Sequence, residues 1–232
     1  LGDVYKRQIS MDAEWGVGMR LDSVPKFPWN MSLGAIKNDL LIEKIGSEIG
    51  NQFKRLGIHM NFAPVIDINT NSKNPIIGNR SYGENKINVS EKGTSFTKGI
   101  QSNNVLATAK HFPGHGDTSK DSHLTLPTIN FDEKRIKKVE LYPFKKLIED
   151  GLSAIMIAHL NVPSLEKENM LPSTLSKNII EKTLIKELNF NGLIITDALE
   201  MKGVSEFTKK NVDLMAFLAG NDILLMSSDI SK

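Results

Sequence analysis

Short apolar runs alternate with longer amphipathic segments along most of this 232-residue chain. The apolar runs are QISM, IHMNFAPVIDI, VLATA, LSAIMIA, LIIT and DILLM. This alternation is typical of parallel β-strands joined by helices, and continuously apolar strands are expected when both faces of the sheet are covered. The sequence therefore predicts an α/β fold with six strands.

The segments between the runs carry helical signals. Apolar residues spaced three and four apart from Ile36 to Leu56 (Leu40, Leu41, Ile45, Ile49 and Phe53 between them) predict a helix that Gly57 ends. Further helices are predicted over residues 89–103, 132–149 and 210–219, and after a cap at Ser176. In the second of these, Pro143 predicts a kink or a break.

The first five apolar runs are each followed by polar or ionisable residues. These are Asp12 and Glu14, Asp67, Lys110 and His111, His159 and Asn161, and Asp197 and Glu200. The carboxyl ends of the strands share one rim in a closed parallel barrel, whereas a doubly wound sheet concentrates its site at one switch point. The pattern favours a parallel (β/α)8 TIM-type barrel.

Such a barrel usually takes about 250 residues and eight strands, so six strands predict a fragment that lacks the first and last βα units. We expect residues 1–8, LGDVYKRQ, to be a non-native leader, and residues 9–232 to be one partial barrel domain. Because the missing units would leave strand edges unpaired, we expect the isolated chain to lack a sharp cooperative thermal transition.

Composition excludes several classes of function. A net charge of +2 gives no electrostatic case for nucleic acid. No apolar run reaches the roughly 20 residues of a membrane helix, so no membrane insertion is predicted. The chain has no cysteine, which excludes disulfides and thiolate metal sites.

Residues 110–123, KHFPGHGDTSKDSH, concentrate three histidines, two glycines, a proline and two aspartates. A metal site is not predicted, because Pro113 and Gly114 prevent the regular helix that would put His111 and His115 on one face. A Ser-His-Asp triad is disfavoured because DSH residues are adjacent and no GxSxG motif is present. A glycine-rich loop with solvated histidines remains an alternative.

Acid–base chemistry fits this segment best. Asp121 and His123 are two residues apart, so in an extended loop both side chains point the same way. A carboxylate beside an imidazole favours the protonated ring and makes a proton donor near neutral pH. Asp197 at a strand end supplies a second carboxylate, and the combination matches retaining glycoside hydrolysis with His123 in place of the usual carboxylic acid.

Four segments together resemble a known family. DAEWGVGMR, GNRSYGEN, KHFPGHGDTSKDSH and ITDALEM are similar, in this order along the chain, to the signature segments of the β-N-acetylglucosaminidase branch of family-three glycoside hydrolases. One departure is Trp15, which stands where the family has glycine. Trp15 is predicted either to pack at the rim or to stack on a sugar.

The resemblance implies retaining, exo-acting hydrolysis of terminal β-linked N-acetylglucosamine in a (β/α)8-type barrel. It implies Asp197 as nucleophile and His123 as general acid and then base, oriented by Asp121. The implied sugar-binding residues are Asp12, Arg20, Arg80, Lys110 and His111. No metal or organic cofactor is implied, and the expected partner is a small carbohydrate from peptidoglycan recycling or amino-sugar salvage.

Alternatives remain open at this point. The chain could be a β-N-acetylglucosaminide phosphorylase or β-glucosidase of the same superfamily, or an inactive sugar-binding fragment. Arg20 and Arg80 could be surface ion-pair partners, and Lys110 could be structural. Asp67 is expected to cap its own loop, and Glu14 to support the site. The compartment is cytoplasmic or, if a signal peptide precedes this sequence, periplasmic or extracellular.

Overall fold

A computed structural model describes residues 7–119, 125–167, 171–208 and 210–227 of the protein. Its sheet contains five parallel strands in sequence order: β1 Ser10–Met11, β2 Met60–Asn61, β3 Leu106–Phe112, β4 Ala154–Ile157 and β5 Leu193–Thr196. The last apolar run adds a single parallel bridge between Ile223 and Ile195. A doubly wound sheet would reverse its strand order, so the unbroken order confirms the barrel-type α/β prediction.

Helices and short turns connect the strands. The α-helices are α1 Asn30–Gly34, α2 Asp39–Leu56, α3 Lys86–Gln101, α4 Glu133–Lys138, α5 Leu141–Glu149, α6 Lys202–Ser205 and α7 Val212–Ala219. A wider helix of π type spans Asn178–Glu187, and single 3-10 turns span Val17–Met19, Gly78–Arg80 and Ser173–Leu175. Among the described residues, none of the helices has the length and apolar character that a membrane crossing requires.

Helix α2 ends at Gly57 as predicted, but it begins at Asp39 rather than at Ile36. The Asn38 side chain accepts a hydrogen bond from the backbone of the first turn, and Gly57 ends the helix with a left-handed φ of 69°. The predicted apolar face was partly wrong, because Leu40, Leu41 and Leu56 are exposed. The buried residues are Ile42, Gly46, Ile49, Gly50 and Phe53. The helix packs on α3 along the line that contains its two glycines, which lets the backbones approach closely.

The segment 132–149 forms two helices, as the proline predicted, but the break precedes Pro143. Helix α4 ends at Lys138 and α5 begins at Leu141, so Pro143 lies in the first turn of α5, where its missing N–H removes no helical hydrogen bond. The Ser176 cap is also confirmed, since its Oγ accepts from the backbone N of Ile179 at 3.1 Å.

The strands bury both faces. The outer face packs with the helices in one large core that includes Ala107, Ala109, Ile155 and Ile157. The inner face forms a second, smaller cluster of Met60, Phe62, Ala154, Met156 and Ile195. The side chains of this inner face fill the interior of the sheet below the carboxyl ends of the strands, where the polar residues lie.

Candidate active site

A cavity of about 580 Å³ lies at the carboxyl ends of the strands. Its charged and histidine lining residues are Asp12, Glu14, Arg20, Arg80, Lys110, His111, His115, Asp197 and Glu200. Six of these are predicted site residues, and they come from segments up to 185 positions apart along the chain (Asp12 to Asp197, 197 − 12). The remaining two predicted residues, Asp121 and His123, lie outside the described part of the chain.

An irregularity in β3 explains how two consecutive residues reach this cavity. Neighbouring side chains of a regular strand point to opposite faces. The pairing of β3 with β4 shifts register between Ala109 and Phe112, and both intervening residues, Lys110 and His111, line the cavity. Bulges of this kind re-aim side chains next to active sites.

Glu14 is the buried centre of the site's ion pairs. Its carboxylate accepts from Arg80 Nε at 3.0 Å and Nη2 at 2.7 Å, and lies 2.9 Å from Lys110 Nζ. Burial alone would raise the pKa of Glu14, but the charge of Lys110 and the hydrogen bonds from Arg80 outweigh it and lower the pKa. Glu14 is therefore ionised at neutral pH and fixes both cations, which confirms its expected supporting position.

Asp12 extends the ion-pair cluster toward solvent. Its Oδ1 lies 2.8 Å from Lys110 Nζ, and its Oδ2 accepts from Arg20 Nη2 at 2.8 Å. Burial would lower the pKa of Lys110, but Glu14 and Asp12 raise it, so the ammonium stays charged. Arg20 is thus both an ion-pair partner, about half exposed, and part of the cavity wall.

Asp67 joins the loops that follow β2 and β3. Its Oδ1 accepts a hydrogen bond from the backbone N of His115 at 2.6 Å, and its Oδ2 accepts one from His111 Nδ1 at 2.6 Å. His111 Nε2 lies 3.4 Å from Arg80 Nη2. The prediction that Asp67 caps its own loop was wrong, because the fully buried carboxylate needs the N–H donors of the neighbouring loop.

Asp197 follows β5 and is half-buried in the cavity wall. Its Oδ1 accepts from the backbone N of Ala198 at 2.8 Å. Burial would raise the pKa of Asp197, but the neighbouring His111 and His159 and the Ala198 N–H lower it. His159 itself does not line the cavity. Its Nε2 lies 2.9 Å from the carbonyl oxygen of Ala198 and its Nδ1 2.6 Å from Thr174 Oγ1, so it supports the turn that holds Asp197.

Trp15 is placed outside the cavity wall. Its ring lies 4.1 Å from that of Trp29, centroid to centroid, at an angle of 44°. Trp15 packs against Trp29 and is not a lining residue of the cavity, which fits the rim-packing prediction.

His115 is a cavity residue that the sequence flagged only as a metal candidate. Burial and the nearby His111 lower the pKa of His115 to about 4, so the ring is neutral near pH 7. Within the described ranges, no group of three or more His, Asp or Glu side chains is arranged to hold a metal ion.

Comparison with known proteins identifies the family of this chain. The model of the Glycosyl hydrolase family 3 N terminal domain matches residues 7–232. The chain belongs to this family. Beta-hexosaminidase A of Pseudoalteromonas piscicida is 38% identical over 234 residues, which cover 94% of this chain and 39% of that protein.

Solved structures agree with the family assignment. A glycoside hydrolase family 3 β-N-acetylglucosaminidase from Paenibacillus sp. str. FPU-7 superposes with a TM-score of 0.90 and 45% identity, over 94% of this chain and 42% of that one. Beta-glucoside phosphorylase BglX gives a TM-score of 0.89 at 27% identity, over 94% of this chain and 41% of that one. The chain therefore spans about two fifths of the length of these relatives.

Proposed function

We propose that the protein acts as a retaining exo-β-N-acetylglucosaminidase that removes terminal β-linked N-acetylglucosamine. The observation that carries this proposal is the ionised Asp197 carboxylate at the end of β5, in the same cavity as Asp12, Arg80, Lys110 and His111. The similarity to a β-hexosaminidase and to a β-N-acetylglucosaminidase supports the choice of sugar.

The cations and carboxylates of the cavity suit a sugar. Hydroxyl groups both donate and accept, so a sugar is bound best by fixed acceptors next to fixed donors. Asp12 supplies carboxylate oxygens, while Lys110 and Arg80 supply N–H donors whose positions Glu14 fixes from below. Because these groups are already paired, the sugar meets a pre-organised site rather than one that must be ordered on binding.

In the proposed first step, an Asp197 oxygen attacks the anomeric carbon while the glycosidic C–O bond breaks. The leaving oxygen takes a proton from His123, whose role rests on the resemblance of the KHFPGHGDTSKDSH segment. In the second step, water attacks the same carbon from the side that the leaving group vacated, His123 takes the water proton, and the Asp197 carboxylate is released. The anomeric configuration is retained.

Asp197→Ala tests the nucleophile. We expect turnover of 4-nitrophenyl β-N-acetylglucosaminide to fall by about three orders of magnitude or more, because the covalent step is lost. Asp222→Ala is the matched control, since this carboxylate accepts from Ile194 N at the opposite end of β5. Comparable losses in both variants, or a first product with inverted anomeric configuration by proton NMR, would contradict the proposal.

Phosphorolysis is the second candidate function. It is favoured by the likeness to Beta-glucoside phosphorylase BglX and by the basic residues Arg20, Arg80 and Lys110 in the cavity wall. A proton donor that is a histidine also avoids the repulsion that a carboxylate would exert on incoming phosphate. Product analysis with and without inorganic phosphate distinguishes the two: free N-acetylglucosamine at an unchanged rate supports hydrolysis, and a sugar 1-phosphate supports phosphorolysis.

The biological setting proposed for the hydrolase is peptidoglycan recycling or amino-sugar salvage. Both settings deliver N-acetylglucosamine at a non-reducing end, which is the group that an exo-acting enzyme removes. A β-glucosidase is the less favoured activity, and comparing the 4-nitrophenyl glucoside with the N-acetylglucosaminide at equal concentration tests the preference directly.

A further inference from the structure

Several side-chain hydrogen bonds join the loop after β2 to the loop after β3, and the proposed mechanism assigns them no role. The second loop starts at Pro113, after β3, and Asp121 and His123 follow it in the sequence. Thr118 is its last buried residue before that continuation. Thr118 is three residues before Asp121 and five before His123 in the sequence, so contacts that fix Thr118 act close to the proposed acid–base residues along the chain.

Asn74 is the first link between the loops, and it is 7% exposed. Its Nδ2 donates to the carbonyl oxygen of His115 at 2.8 Å and to Thr118 Oγ1 at 3.2 Å. Its Oδ1 faces the other way and accepts from the backbone N of Ile76 and Ile77 at 2.9 Å and 2.8 Å. The amide oxygen of Asn74 thus stabilises its own loop, and the amide nitrogen of Asn74 binds the neighbouring loop.

Asn71 repeats this division. Its Oδ1 accepts from Lys73 N at 3.0 Å within its own loop, and its Nδ2 donates across to the carbonyl oxygens of Thr118 at 3.2 Å and Asp117 at 3.5 Å. Gly116 lies between the two links, and a Cβ at this position would lie 1.8 Å from the Ile68 carbonyl oxygen. The two backbones are therefore in direct contact where the amides join them.

We propose that Asn71 and Asn74 are positioning residues that fix the backbone of residues 115–118, which leads in sequence to the proposed acid–base residues. This inference rests on the proposed function. Neither amide lines the cavity, so neither is assigned a contact with the sugar. Their effect is exerted through the backbone of residues 115–118, and a displacement of about 1 Å in a catalytic group can cost about 100-fold in rate.

Aspartate substitutions separate positioning from folding of the first loop. Asn71→Asp and Asn74→Asp each keep the oxygen that accepts within the loop, but lose the N–H that donates across it. In Asn74→Asp a carboxylate oxygen also faces the His115 carbonyl oxygen, so two acceptors meet. Asn79→Asp is the matched control, because Asn79 is exposed in the same loop and gains the same charge.

The readout is the dependence on the leaving group. A mispositioned proton donor slows substrates that need protonation, such as N,N′-diacetylchitobiose, whereas 2,4-dinitrophenyl β-N-acetylglucosaminide needs little. We expect kcat/KM for chitobiose to fall about 10-fold or more in either variant, and that for the dinitrophenyl substrate to fall less than about threefold. The control should match the parent protein on both substrates.

Equal losses on both substrates, or no loss on either, would overturn the positioning role. Asn74 is buried, so Asn74→Asp can also unfold the protein. The half-buried Asn71 then carries the test through Asn71→Asp, whose far-ultraviolet circular dichroism spectrum should match that of the parent. Failure of the proposed function has a different signature, because the parent protein itself would then cleave neither substrate.

Discussion

Replacing Glu14 by glutamine tests whether burial, rather than the number of ion pairs, sets the energetic weight of the cavity's charges. Glu14 and Asp12 both pair with Lys110 Nζ, at 2.9 Å and 2.8 Å. Their side chains differ in exposure, at 1% for Glu14 and 34% for Asp12. Glutamine and asparagine keep the shape of each side chain, so the pair Glu14→Gln and Asp12→Asn compares one charge removed from two environments.

The expected costs differ severalfold. Removing one partner of a buried ion pair leaves an uncompensated charge and costs about 3–5 kcal/mol, so Glu14→Gln should lower the free energy of unfolding by that amount. Asp12 is partly solvated and its loss leaves Lys110 paired with Glu14, so Asp12→Asn should cost about 0–1 kcal/mol. The difference of about 2–5 kcal/mol corresponds to roughly 30-fold to 4,000-fold in the unfolding equilibrium constant.

Urea unfolding followed by circular dichroism at pH 7 measures both costs, provided that the slope with denaturant is unchanged between variants. The ordinary pKa of Glu14 is 4.5 and the folded value is lower, so its contribution is present above pH 4.5 and declines as the pH falls below it. The gap between parent and Glu14→Gln should therefore narrow at pH 3. Equal costs for the two variants at pH 7 would refute the argument from burial.

Three further predictions follow from the same site. Gly116→Ala should destabilise the protein by about 2 kcal/mol or more, measured by urea unfolding, because the added Cβ meets the Ile68 carbonyl oxygen; an unchanged midpoint would show that the loops can separate. The pKa of His115 is lowered from 6.5 to about 4 in the folded protein, so as the pH falls the unfolded chain binds this proton first. Lowering the pH from 6.5 to 4 should therefore reduce the free energy of unfolding by up to about 3 kcal/mol. His115→Gln should flatten that part of the pH profile, and an equally steep profile would exclude His115 as the cause. His123→Ala should slow chitobiose cleavage far more than cleavage of an activated aryl glycoside, and equal losses would contradict its role as proton donor.

Much of the fold could be predicted because each strand carries its own signal. The apolar runs located the five strands of the described residues, and the polar residues that follow the first, third and fifth runs line the cavity. The spacing of apolar residues could not predict which face of a helix is buried. Leu40 and Leu41 fit a helical apolar face, yet two glycines on another line decide how closely α2 approaches α3.

The candidate site shows the same limit. Glu14 and Asp197 follow apolar runs directly, so their position at the rim could be predicted from the sequence. The role of Asn71 and Asn74 could not be predicted, because an asparagine in a polar loop usually signals a turn. Only the fold brings a second loop within hydrogen-bonding distance of the amide nitrogens. The partners of Asp67 were missed for the same reason, since they lie 44 and 48 positions away in sequence.

The register shift in β3 has a consequence for anyone who wishes to transplant this pocket. Lys110 and His111 are adjacent in sequence, yet both serve the same side of the wall. Grafted onto an ideal, evenly pleated scaffold, the dipeptide would send one of its two side chains into the hydrophobic layer behind the sheet. A functional copy must therefore reproduce the local distortion of the backbone together with the two amino acids.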